Sequence, residues 1–167
     1  TYVNGVLDGL VTVWHDNGNK DREGIIRGNE PEGSWTYYYP DGREDFRFDY
    51  GSGLDRVRIA ELEVRDDLYF KIGKNKPYTG IVVESGGLKD YLLLGRFQAG
   101  RRDGQWVQWY RNGQKEVEGT YYRGKKDGDW SLWYEDGTMK EEGTFDMGEI
   151  DGTYKYWYAN GHLHMEQ

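Results

Sequence analysis

Cysteine is absent, which removes disulfides, thiolate metal sites and cysteine nucleophiles. Long apolar runs are missing too, so no segment reads as a membrane-spanning helix. Aliphatic residues are scarce. Only 36 % of the 167 residues are hydrophobic, yet 16 % are aromatic and 25 are glycine. A thick layered core wants Leu, Ile, Val and Ala. This composition suits a thin sheet whose few buried positions hold rings. A basic excess is also lacking. Thirty acids outnumber 22 bases, for a net charge of −8. Residues 1–79 and 80–167 each carry 15 acids and 11 bases, so the negative charge reads as spread along the chain. That balance argues against nucleic acid and anionic membranes and favours a basic protein partner. No signal peptide is visible. A cytoplasmic location is expected, with the cell envelope as the alternative if a leader preceded Thr1.

What is present is repetition. Counting each unit from its first glycine as position zero places that glycine at Gly9, Gly33, Gly80, Gly104, Gly128 and Gly152. Four of the five gaps are 24 residues, and the fifth is 47. Position nine is glycine again at Gly18, Gly42, Gly113, Gly137 and Gly161, each preceded by Asn or Asp. Asn-Gly and Asp-Gly steps favour a type I′ turn, so each unit reads as a β-hairpin. A two-residue turn there makes opposed positions sum to 17. Position two (Val11, Trp35, Val82, Trp106, Trp130, Tyr154) then faces position 15, which is Gly24, Phe48, Gly95, Gly119 or Gly143. Large faces none. Each ring is expected to lie across bare backbone, which explains glycine inside strands. Loops such as "GKKDG" (Gly124–Gly128) read as solvated connections between hairpins.

Position five falls on the other face. It holds Trp14, Tyr38, Trp109, Trp133 and Trp157. Its expected partner, position 12, is mostly polar, and position 14 adds Glu118 and Glu142 among other charges. A single-layer sheet leaves such rings partly exposed, and exposed aromatic rows mark binding surfaces. Trp14, Tyr38, Trp109, Trp133, Trp157, Glu118 and Glu142 are therefore the candidate partner-binding residues. A purely structural ladder weighs equally for this face. The position-two face is the alternative if the sheet curls the other way.

The repeat divides the chain into two units over 1–53, an irregular junction over 54–79 and four units over 80–167, forming one continuous elongated domain. In the junction, "VRIAELEV" is compatible with a strand or a short helix. "LYFKIGKNKPYTG" (Leu68–Gly80) reads as a strand, a turn and re-entry into the repeat. The Gly80 unit has an early turn at Ser85–Gly87. Open terminal strands invite edge association, and the oligomeric state stays open.

No catalytic constellation stands out. Serines are scattered, and His15, His162 and His164 lack an obvious partner base. His162 and His164 share a strand face in this reading, without a third ligand. No enzyme activity, metal or cofactor is expected.

"GTYYRGKKDGDWSLWYEDG" (Gly119–Gly137) resembles the MORN repeat, with its Y-x-x-G-x-x-x-G-x-W core. The W-Y-x-[ND]-G ending and "KPYTG" (Lys76–Gly80) look like the bacterial MORN-repeat variant. Many such proteins are classed as YwqK-type antitoxin or immunity proteins. The resemblance covers about four fifths of the chain. It implies an all-β, single-layer twisted antiparallel sheet of stacked hairpins. By function it implies a protein-binding module, with a basic toxin as the partner and stoichiometric occlusion as the mechanism. A scaffold or envelope-associated protein is the alternative, since MORN repeats elsewhere act as scaffolds or are linked to phospholipids. Departures stand at Phe48, at Gly28 and in the Gly80 unit.

Overall fold

Five of the six repeats fold as a pair of strands about an Asn-Gly or Asp-Gly step. The structure is a computed structural model and describes residues 2–3, 6–86 and 89–166. Its described residues form antiparallel hairpin sheets with no closed barrel, the all-β array expected. The chain divides into two compact units, Thr1–Leu54 and Asp55–Gln167. The first holds β1 (Tyr2–Val3), β2 (Val6–Leu7), β3 (Gly9–Trp14), β4 (Lys20–Arg27), β5 (Glu30–Tyr38) and β6 (Glu44–Asp49). β3 to β6 form a four-stranded sheet in chain order.

The second unit begins with β7 (Arg56–Val57), a 3-10 turn (Ile59–Glu61), β8 (Leu62–Arg65) and β9 (Leu68–Lys71). Then follow β10 (Gly80–Gly86), β11 (Lys89–Gln98), β12 (Arg101–Arg102), β13 (Gly104–Trp109) and β14 (Lys115–Tyr122). β15 (Lys125–Trp133), β16 (Met139–Asp146), β17 (Glu149–Trp157) and β18 (Leu163–Glu166) complete it. Sheet order runs β18 to β13 without a crossover, then β11, β10 and β7. The early turn expected at Ser85–Gly87 runs into residues 87–88, outside the described residues.

The Asn-Gly steps do not form type I′ turns. Only the glycine is left-handed, at φ 86° for Gly113 and 84° for Gly137. The Gly113 N–H donates to the Tyr110 carbonyl at 3.0 Å, and the Tyr110 N–H to the Gln114 carbonyl at 2.8 Å. This is a three-residue loop, a type I turn closed by a left-handed glycine. The longer loop moves the register by one residue, and a bulge moves it back. Trp109 pairs with Lys115, at position 11, while Gln108 pairs with Val117 on the expected sum. Position five therefore never faces position 12. Its partners are Lys20, Glu44, Lys115, Met139 and Leu163.

The tight turns lie between repeats instead. Arg123-Gly124 has φ of 51° and 88°, and Met147-Gly148 has 50° and 91°. Tyr122 pairs with Lys125 around the first. The basic "GKKDG" segment is thus a two-residue turn running straight into β15, not a loose connection.

Position two does pair with position 15 of its own hairpin, as Trp130 does with Gly143. Its ring lies elsewhere. A Cβ built on Gly119 would sit inside the indole of Trp130, and one on Gly95 inside that of Trp106. Gly24 stands in the same relation to Trp35, and Gly143 to Tyr154. Each ring crosses the glycine of the preceding hairpin and locks two hairpins together. The Trp130 Nε1–H donates to the Thr120 carbonyl at 3.0 Å, and Trp35 does likewise to Ile25. Both carbonyls stand where the ladder between hairpins shifts register. The indole supplies a donor there, which lets so polar a site be buried.

Phe48 now has a reason. β6 is the last strand of its sheet, so no following ring needs the space above position 15. Phe48 fills it, 2 % exposed and edge-on to Tyr50 at 4.9 Å.

The junction is ordered. Asp66 and Asp67, both left-handed, turn β8 into β9, and β7 pairs in parallel with β10. "VRIAELEV" is therefore the end of β7 at Val57, one 3-10 turn and most of β8. Leu62 and Tyr69 from the junction pack on a buried cluster of Val57, Tyr78, Val82, Leu93, Phe97 and Trp106. Here the position-two face acquires a cover.

Candidate partner-binding face

The position-two face is a chain of edge-on rings. Phe97 meets Trp106 at 5.6 Å, Trp106 meets Tyr121 at 5.8 Å, and Tyr121 meets Trp130 at 4.8 Å between centroids. A cation at repeat position 22 sits over consecutive rings. Arg102 lies 4.9 Å from Trp106 and 5.3 Å from Tyr121, and its guanidinium donates to the Tyr121 and Tyr69 hydroxyls. Lys126 repeats this over Trp130 at 4.6 Å and Phe145 at 4.8 Å. Burial lowers the pKa of Lys126.

The position-five row exists as expected, on alternate strands β13, β15 and β17 of one sheet. Its exposure is uneven. Trp14 is 58 % exposed, whereas Trp109 is 6 % exposed. Tyr38, Trp133 and Trp157 are half-buried. Trp109 is thus not the partly open ring the repeat suggests. Val107 and Leu94, which face the same way, are also buried. Glu118 and Glu142 are not free carboxylates either. Lys115 reaches Glu118 at 2.8 Å and stands 5.7 Å over the Trp133 ring. Lys20 repeats this with Glu23 and Tyr38. The Lys20 and Tyr38 bonds hold the Glu23 carboxyl below its usual range. Glu142 meets Lys155 at 3.6 Å.

Position six, next to these rings, ties the row together. The Tyr110 hydroxyl donates to the Trp133 carbonyl at 3.0 Å, and that of Tyr134 to Trp157 at 2.8 Å. His15 Nε2 makes the equivalent contact with the Tyr38 carbonyl at 3.0 Å. His15 is thereby a strut between hairpins. His162 lies in the last turn rather than on β18, and His164 packs its ring on Tyr158 at 4.3 Å.

A polar trough of about 300 Å³ lies on the position-five face of β15 to β17. Asp129, Ser131, Glu142, Thr144, Thr153 and Lys155 line it. Ser131 and Lys155 each stand two residues before Trp133 and Trp157, on the same faces of their strands.

A family model for the MORN repeat variant matches residues 102–121, 126–147 and 150–167. Three repeats therefore carry the variant's pattern. No curated protein matches the chain. The matched residues span the hairpins from β13 onward and include the joints of Trp130 on Gly119 and Tyr154 on Gly143.

Negative charge is not spread evenly. Residues 80–126 carry five acids and nine bases, whereas 127–166 carry ten acids and two lysines. The last two hairpins, β15 to β18, hold ten acids against four lysines, a net charge of −6 where the whole chain has −8.

Proposed function

We propose that this chain is a protein-binding repeat module that occludes a basic partner, in the manner of an antitoxin or immunity protein acting on a toxin. On this reading it catalyses no reaction and works in the cytoplasm. The observation that carries the reading is the half-exposed Trp133 and Trp157 on the hairpins with the densest negative charge. Aromatic anchors supply contact area, and opposite charge speeds encounter. The repeat-variant match supports a repeat module in general.

The test is co-expression with the product of the neighbouring gene. A stoichiometric complex that protects cells from that product is expected. Trp133→Ala with Trp157→Ala should abolish protection while β-content stays intact. Protection that survives the double variant would remove this face from the interface.

A scaffold or envelope-associated role is the second reading. Exposed Tyr122, Met147 and Ile150 near Arg123 and Lys125 along the tight turns favour it. Flotation with anionic liposomes separates the two, since only this reading expects binding.

A further inference from the structure

We infer that the docking surface is confined to residues 127–166 and takes an extended basic polypeptide segment, with a lysine or arginine side chain entering the trough between Asp129 and Glu142. The inference rests on the protein-binding reading and narrows it to a place and a partner chemistry.

Charge selects the occupant. Ten carboxylates outnumber four lysines over β15 to β18 and repel one another, and a cationic partner relieves that repulsion. The adjacent hairpins of 80–126 are net positive, so attraction is local to one end of the sheet. The fold accounts for part of this charge. Asp136 caps its turn through the Thr138 N–H at 2.9 Å, and Glu141 accepts from the Tyr154 hydroxyl at 2.6 Å. The trough acids are less engaged. Asp129 accepts from the Thr144 hydroxyl at 2.7 Å, a neutral donor. Glu142 has a lysine at 3.6 Å, and both side chains are a third or more exposed.

Shape agrees with charge. Small side chains at Ser131, Thr144 and Thr153 and the bare Gly143 leave the trough open between the carboxylates. Its volume accommodates one long cationic side chain. Trp133 and Trp157 stand about 10 Å apart, two strand spacings, on the strands that flank it. Their indoles offer apolar contact for an extended chain. Lys155 occupies the place that a partner's ammonium would take beside Glu142.

The experiment uses the full chain and a fluorescently labelled decalysine peptide, with anisotropy read at low and at physiological salt. Saturable binding that weakens with salt is expected. Asp129→Asn with Glu142→Gln should weaken it about tenfold. Asp16→Asn with Glu30→Gln removes the same charge from the first unit and should change it less than about twofold. Lys155→Gln should tighten binding with its circular dichroism unchanged from the parent. The inference is overturned by no binding at low salt, by equal loss from both acid pairs, or by weaker binding with Lys155→Gln. Low-salt self-association that excludes the peptide would also overturn it, assigning the acidic hairpins to a second copy. If the neighbouring gene's product still binds while the trough variants change nothing, the trough assignment fails and the protein-binding reading stands.

Discussion

The indole of Trp130 lies over the α-carbon of Gly119, in the hairpin before its own, and its N–H reaches the carbonyl of Thr120. One side chain thus closes the gap between repeats, covers bare backbone and supplies a donor where the ladder shifts. Burying such a ring is worth about 2–3 kcal/mol.

Gly119→Ala should therefore destabilise the protein by about 1–3 kcal/mol, the usual cost of forcing atoms into a filled site. The same substitution in a Trp130→Ala background should cost far less, because the clash is gone. Urea denaturation of the four proteins gives the coupling. Equal costs in both backgrounds would show that the ring does not set the glycine requirement.

Tyr110→Phe and Tyr134→Phe each remove one hydroxyl that spans to the next hairpin. A loss of about 1 kcal/mol apiece is expected, with secondary structure unchanged by circular dichroism.

Arg102→Lys keeps the charge over Trp106 and Tyr121 but loses the planar fork that serves two hydroxyls. A destabilisation of about 1–3 kcal/mol is expected, in the range for hydrogen bonds to charged groups. Thermal melting checks it. A melt within error of the parent would reduce Arg102 to a solvated surface group.

Alkali should reveal Tyr154. Burial and its bond to Glu141 push this phenol up to about 12. A folded-state value above the unfolded one of about 10 means that its stabilisation is complete below that pH. It is then lost as pH rises through the window from 10 to 12. Tyr154→Phe should flatten that loss and remove one late-ionising group from the tyrosinate absorbance titration.

The hairpins and the glycine pairing were legible because a 24-residue spacing repeats both the rings and their counterparts. The break between sheets was legible as well, though unread: Phe48 at position 15 announces that no hairpin follows. Turn type was not legible. An Asn-Gly step serves a two-residue turn and a three-residue loop alike, since both need a left-handed glycine. The register survived because loop and bulge offset each other by one residue. Trp109 and Trp133 occupy equivalent places in near-identical segments, yet one is buried and the other half-exposed. Local pattern sets the face of a ring, while the rest of the fold sets its cover. The junction was illegible for a related reason. Its short strands answer to the sheet face they cover, not to a periodicity of their own.

The ring-over-glycine joint also has a direction. At each such joint the later hairpin carries the projection and the earlier one the recess, as Trp106 does with Gly95, Trp130 with Gly119 and Tyr154 with Gly143. A stretch of one period can then be duplicated or excised, and the new neighbours still meet through a matching pair. Arrays built on this joint can change length by copying alone, and a bulky residue in the recess writes the stop.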